Sequence, residues 1–186
     1  MAVATGVAEV VVCYRALNGR SGQRYSAGVS GTLITGSAIH YGYYMPFGLL
    51  TPASWVALFT RRYMHLTGCT QDALFEIAQA TRDYAVRNPA AFFYQRPMTR
   101  ADYDAGKKIC NPLTLYDCCQ ESDGGCAIVV TTPERARHLK QPGVSIRGVA
   151  QCIAKDQEEM TSFYRPDIAR IPEMDLAADE AYAQCG

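Results

Sequence analysis

Apolar residues gather in runs at positions 7–14, 126–130 and 144–150, and two stretches with helical spacing lie between the first and second. The run at 7–14 is unbroken except for Glu9, and Ala127, Ile128, Val129 and Val130 carry no polar alternation. Unalternated apolar runs suit strands covered on both faces. Thr51 followed by Pro52 starts a helix, because proline at the first helical position gives up no needed hydrogen bond. Trp55, Val56, Phe59, Tyr63 and Leu66 then recur on one face until Gly68 stops the helix. Thr70 caps a second helix, with Leu74, Ile77, Ala78, Thr81, Tyr84 and Ala85 predicted to face inward, and Asn88-Pro89 ends it. Residues 97–112 read as polar and extended, and core structure resumes at 113–116.

The stretch from Ser122 to Gly125 predicts a tight turn, since Asp-Gly and Gly-Gly supply backbone angles that residues with a Cβ resist. Thr132 then caps a helix with Pro133 at its first position and Glu134 next. Residues 18–39 are rich in Gly and Ser without a helical period and read as a long excursion. After Gln151 the chain is irregular and polar to Pro172. β elements at either end of the first 150 residues thus bracket a mostly helical insertion, an α/β arrangement whose two end strands must pair over a long range.

Charge narrows the partners. Lys plus Arg and Asp plus Glu number 18 each, so no basic surface argues for nucleic acid. No apolar run is long enough to span a membrane, and the N-terminus lacks the pattern of a secretory leader. The apolar fraction of 48% can supply a core.

Eight cysteines raise the question of metal or disulfides. They show no C-x-x-C spacing, and His40, His65 and His138 stand apart from the Cys118-Cys119 pair, so no metal site is expected. Adjacent cysteines bridge only with strained geometry, and no His or Lys lies beside this pair to favour a thiolate, which gives the two a structural reading. Cys13, Cys126 and Cys152 sit in apolar runs where cysteine acts as a small hydrophobe. A reduced, cytoplasmic setting is the simplest account. His65 reads as a solvated residue beside Arg61 and Arg62, and His40 stands just before an aromatic loop. Asp123 reads either as a base or as an acceptor of local backbone amides.

The order Cys118-Cys119-x-x-Ser122-Asp123-Gly124-x-x-Ala127-Ile128-Val129, followed by Glu134-Arg135-Ala136-Arg137, resembles the thiolase superfamily. The branch it looks like contains sterol carrier protein X thiolases and bacterial thiolase-like lipid-transfer proteins. Residues 7–20, 68–89, 98–113 and 172–186 resemble successive segments of that fold, so the likeness covers nearly the whole chain. It implies an α/β, incomplete thiolase-like fold. A strand of the N-terminal half would occupy 1–17 and an inserted loop domain 18–112. A return to the core would occupy 113–142, and the start of a truncated C-terminal half 143–186.

The same resemblance implies acyl transfer on fatty or sterol-derived acyl-CoA, with coenzyme A as part of the substrate and no separate cofactor. The family's nucleophilic Cys would lie before Met1, and its His and second Cys after Gly186, so no catalytic residue is assigned in this chain. Tyr44 takes the place of a family histidine near the pantetheine, which gives Tyr44, Met45 and Phe47 a substrate-binding reading. The alternative is an aromatic loop that merely packs. Ser122, Asp123 and Gly124 line the active-site floor by the same analogy, and Arg15, Arg20, Arg24, Arg61 and Arg62 could meet coenzyme A phosphates or solvent. The implied partners are a second copy of the chain and an OB-fold protein. Two other functions stay open: a retro-aldol lyase on steroid side-chain CoA thioesters, and a non-catalytic, truncated binding module.

Overall fold

The computed structural model describes residues 1–22, 24, 27, 41–157 and 163–186. Most of the glycine- and serine-rich excursion, and His40 with it, lies outside the described residues. The chain divides into two compact units. One comprises Met1–Gln23, Ser122–Gln157 and Ile171–Gly186; the other comprises Arg24–Glu121 and Glu158–Arg170.

The first unit is built on β1 (Val10–Asn18) and β4 (Asp123–Thr131), paired antiparallel in an unbroken register from Val10↔Thr131 to Asn18↔Asp123. Opposed residues share a face, so Val12 with Val129 and Tyr14 with Ala127 line one side, and Val11 with Val130 and Cys13 with Ile128 the other. Both sides are apolar, as a strand without alternation requires. Even so, Tyr14 and Ile128 are exposed, and Val11, Val130 and Thr131 alone in the two strands are partly covered.

Helix α4 (Pro133–Ala136) makes one turn, capped by Thr132, and Arg135 pairs with Glu9. Helix α5 (Pro172–Cys185) closes the unit. Its Gln184 side chain donates to the Val149 carbonyl (3.1 Å) and accepts from the Val149 amide (2.9 Å).

The second unit holds the buried core. A single 3₁₀ turn (Met45–Phe47) leads into α1 (Pro52–Thr67), α2 (Gln71–Arg87) and α3 (Arg100–Ala105). Next come a short antiparallel pair, β2 (Lys108–Cys110) with β3 (Leu113–Thr114), and a second 3₁₀ turn (Leu115–Asp117). The starts of α1 and α3 are satisfied by capping boxes, Thr51 with Ser54 and Thr99 with Asp102. Gly68 ends α1 at φ 72°, a left-handed angle that glycine takes without a Cβ penalty. Tyr44, Trp55, Ala57, Met98, Tyr103, Leu113 and Thr114 are buried.

Several expectations are corrected here. Among the described residues the strands form two two-stranded antiparallel sheets, not part of a layered α/β sheet, so the incomplete thiolase-like reading does not describe this fold. The physical reason is that β1 and β4 satisfy each other directly and antiparallel, with only one turn of helix after β4. The predicted turn at Ser122–Gly125 is instead the entry to β4, because Asp123, Gly124 and Gly125 already pair with Asn18, Leu17 and Ala16. Residues 144–150 form no strand; the Gln184 side chain takes both backbone groups that Val149 would offer a neighbour.

The inner face of α2 is also rotated from the predicted one. Ile77 and Tyr84 point outward, 67% and 74% exposed, while Leu74, Phe75, Ala78, Arg82 and Ala85 are partly covered. Phe75 packs edge-on against Tyr103, and Arg82 lies 3.8 Å over the Phe93 ring. Those aromatic contacts decide the facing, and a hydrophobicity pattern counts Arg82 as polar.

Candidate functional site

In the second unit, the loop before α1 is set by aromatic packing. Tyr44 is buried, with its ring edge-on to Tyr41 (6.5 Å) and to Phe163 (5.1 Å). Tyr41 stacks on Trp55 at 5.8 Å, and Phe163 also meets Phe59 at 5.2 Å. The Trp55 indole N–H donates to the Leu49 carbonyl (2.8 Å), and the Leu49 amide donates to the Tyr44 carbonyl (3.2 Å). Gly48 turns the loop at φ 73°. Tyr44 is therefore fixed, and its neighbours Met45 and Phe47 are presented outward, 46% and 80% exposed.

Ser122, Asp123 and Gly124 lie in the other unit, at the end of the β1–β4 ribbon. Asp123 Oδ1 accepts the backbone amides of Arg20 (2.8 Å) and Ser21 (3.0 Å), residues 103 and 102 positions away. These amide bonds hold the Asp123 carboxyl below the usual carboxylate value, so it is ionised and a weak base. Gly19 passes close by: a Cβ there would stand 3.3 Å from the Ser122 carbonyl oxygen. Asp123 thus does accept backbone amides, but from across the ribbon and not from its own turn. The six proposed substrate residues fall three in each unit.

A polar network that the sequence did not disclose lies beneath α3. The Tyr103 hydroxyl, on a fully buried ring, donates to the Asp117 carboxylate at 2.9 and 3.0 Å and accepts from Gln71 Nε2 at 3.4 Å. Asp117 also accepts from the Thr114 amide (2.6 Å) and hydroxyl (2.9 Å), and Gln71 donates to the Pro112 carbonyl (2.7 Å). Burial, then the Asp117 carboxylate, pushes the Tyr103 phenol up; burial, then the same carboxylate, does likewise to the Cys118 thiol. A thiol shifted that way stays neutral and is a poor nucleophile. All eight cysteines are free, and no group of three or more metal-ligating side chains occurs among the described residues.

Sequence could have signalled part of this network through Thr114-x-x-Asp117, the same capping pattern as the Thr99-x-x-Asp102 that begins α3. Phe163 gave no signal at all, since its partners are more than 100 residues away.

No protein-family model matches the chain. Over its whole length it is 53% identical to a steroid side-chain-cleaving aldolase of Thermomonospora curvata. It is 48% identical, again over its whole length, to a 17-hydroxy-3-oxo-4-pregnene-20-carboxyl-CoA lyase of Mycobacterium tuberculosis. Those alignments cover 48% and 49% of the two proteins, so the chain spans about half the length of the curated relatives it matches. A chain in the solved structure of an Ltp2-ChsH2(DUF35) aldolase superposes with a TM-score of 0.90 at 50% identity, covering all of this chain and 46% of that one.

Matches to thiolases are partial, 34% and 28% identical over 45% and 72% of this chain. The resemblance to sterol carrier protein X and lipid-transfer thiolases is thereby corrected: the relatives that match over the whole of this chain are named as a side-chain-cleaving aldolase and a lyase. The reading of acyl transfer falls with it, and the aldolase chain shares the fold at a TM-score of 0.90. Among the described residues no helix is long and apolar enough to cross a membrane.

Proposed function

We propose that this chain is part of a retro-aldol lyase that removes the side chain of a steroid CoA thioester. The observation that carries the proposal is the full-chain identity of 53% and 48% to proteins named for that cleavage.

The chemistry follows from the substrate named for the second relative, in which a 17-hydroxyl stands β to a thioester carbonyl. A base takes the hydroxyl proton and the C17–C20 bond breaks. Its electron pair moves to C20 and delocalises into the thioester as an enolate, while C17 becomes a ketone. A proton then returns to C20, giving propionyl-CoA and a 17-ketosteroid. The balance needs no oxidant, reductant or thiol nucleophile; it needs a base, an acid and donors for the enolate oxygen. A neutral Cys118 accords with that requirement.

Met45 and Phe47 offer apolar surface to the substrate. Tyr44 fixes the loop that carries them, and in the other unit Asp123 holds the end of the β1–β4 ribbon. Coenzyme A arrives as part of the substrate. The two-component name of the structural relative supports a partner protein of the DUF35 type. A second copy of the chain and a cytoplasmic setting remain part of the proposal.

The test is to incubate the native-length protein, with and without a DUF35 partner, with 17-hydroxy-3-oxo-4-pregnene-20-carboxyl-CoA. Release of the 17-ketosteroid is expected. Thiolysis of a 3-ketoacyl-CoA without ketosteroid release would overturn the proposal.

A further inference from the structure

We infer that Phe163 is a positioning residue for the substrate loop at Tyr44, Met45 and Phe47; this rests on the reading that the loop touches the acyl-CoA. The 3₁₀ turn Met45–Phe47 is three residues long, follows directly on the helical residues 41–44 and has no side-chain cap at its start. So short a turn does not hold itself in place. Its position is set by the residue before it, and the Tyr44 ring is gripped by Tyr41 and Phe163 among the described residues.

Tyr41 belongs to the same local segment and can move with it. Phe163 cannot, because it arrives from a distant part of the chain and is itself seated on Phe59 of α1. It therefore ties the loop to the rigid helix through a contact the loop cannot make alone. Without the Phe163 ring, Tyr44 loses one wall of its slot, and the exposed Met45 and Phe47 side chains lose their fixed position. Such a change weakens binding of substrate and transition state alike, which raises KM and leaves kcat in place.

Steady-state kinetics of the native-length protein on the steroid CoA thioester test the inference. Phe163→Ala is expected to raise KM about tenfold with kcat within about twofold, the size expected for two lost ring contacts. Phe163→Tyr, which keeps the ring, should restore KM. A purely structural role would instead reduce the amount of active enzyme, lowering kcat at unchanged KM, and would overturn the inference. Should the alanine variant fail to fold, Phe163→Leu keeps most of the volume, and an unchanged KM there overturns it equally.

Phe47→Ala separates the two readings. If it leaves KM unchanged, the loop does not touch substrate and the underlying reading falls, taking the inference with it. If it raises KM while the Phe163 variants do not, the loop stands and Phe163 is removed from it.

Discussion

Asp123 shows how a residue that looks catalytic can be occupied structurally. Its carboxylate accepts two amides of the chain leaving β1, which closes the end of the ribbon. Because those bonds favour the charged form, its folded value lies below its unfolded one. The stability they add is present above the ordinary aspartate value and is lost as pH falls through the lowered folded value. An NMR titration should give Asp123 a midpoint below the roughly 3.9 of a free aspartate; a midpoint at or above it contradicts the clamp.

Cys118 makes a second prediction at this scale, since burial pushes its thiol up. Limited alkylation near pH 8, read by mass spectrometry, should label exposed Cys119 and Cys126 well before Cys118. Labelling of Cys118 first would contradict its neutral, sheltered state. From sequence, the absence of a basic neighbour points the same way as the burial that raises this thiol. The partners of Asp123 were hidden, because they lie 102 and 103 positions away.

Helix ends were legible and helix faces were not. Thr51, Pro52 and Gly68 bound α1, and Thr70 and Asn88 bound α2, because caps and stops are local chemistry. The facing of α2 is set instead by Tyr103 and Phe93, contacts that no periodicity encodes. Strand entry was misread for a related reason. Ser122–Gly125 has turn composition, yet the register with β1 runs through Asp123, Gly124 and Gly125.

The Tyr103 network yields the prediction at this level. Tyr103→Phe removes a buried hydrogen bond to a carboxylate and should cost about 1.5–3 kcal/mol in urea unfolding. A cost under about 0.5 kcal/mol would mean that the bond contributes little. Gly106→Ala should also destabilise, by about 1–3 kcal/mol. Its Cβ would stand 2.7 Å from the Tyr116 ring and 2.9 Å from the Tyr103 carbonyl oxygen.

For the whole molecule, the likeness to a thiolase-type string at Cys118–Val129 pointed toward CoA thioesters and toward acyl transfer, away from the cleavage for which the full-length matches are named. A short motif reports a shared segment of fold; it says little about which bond is broken. Identity across the full chain separated the aldolases from the thiolases, and on it the proposed retro-aldol function rests.

The proposed reaction is carbon–carbon cleavage through an enolate. The most direct measurement is the mass of the CoA product formed by the native-length protein from 17-hydroxy-3-oxo-4-pregnene-20-carboxyl-CoA in heavy water. Retro-aldol cleavage predicts propionyl-CoA carrying one deuterium at the carbon next to the thioester, released together with a 17-ketosteroid. Propionyl-CoA without deuterium, or intact substrate beside active thiolysis of a 3-ketoacyl-CoA, would contradict the account.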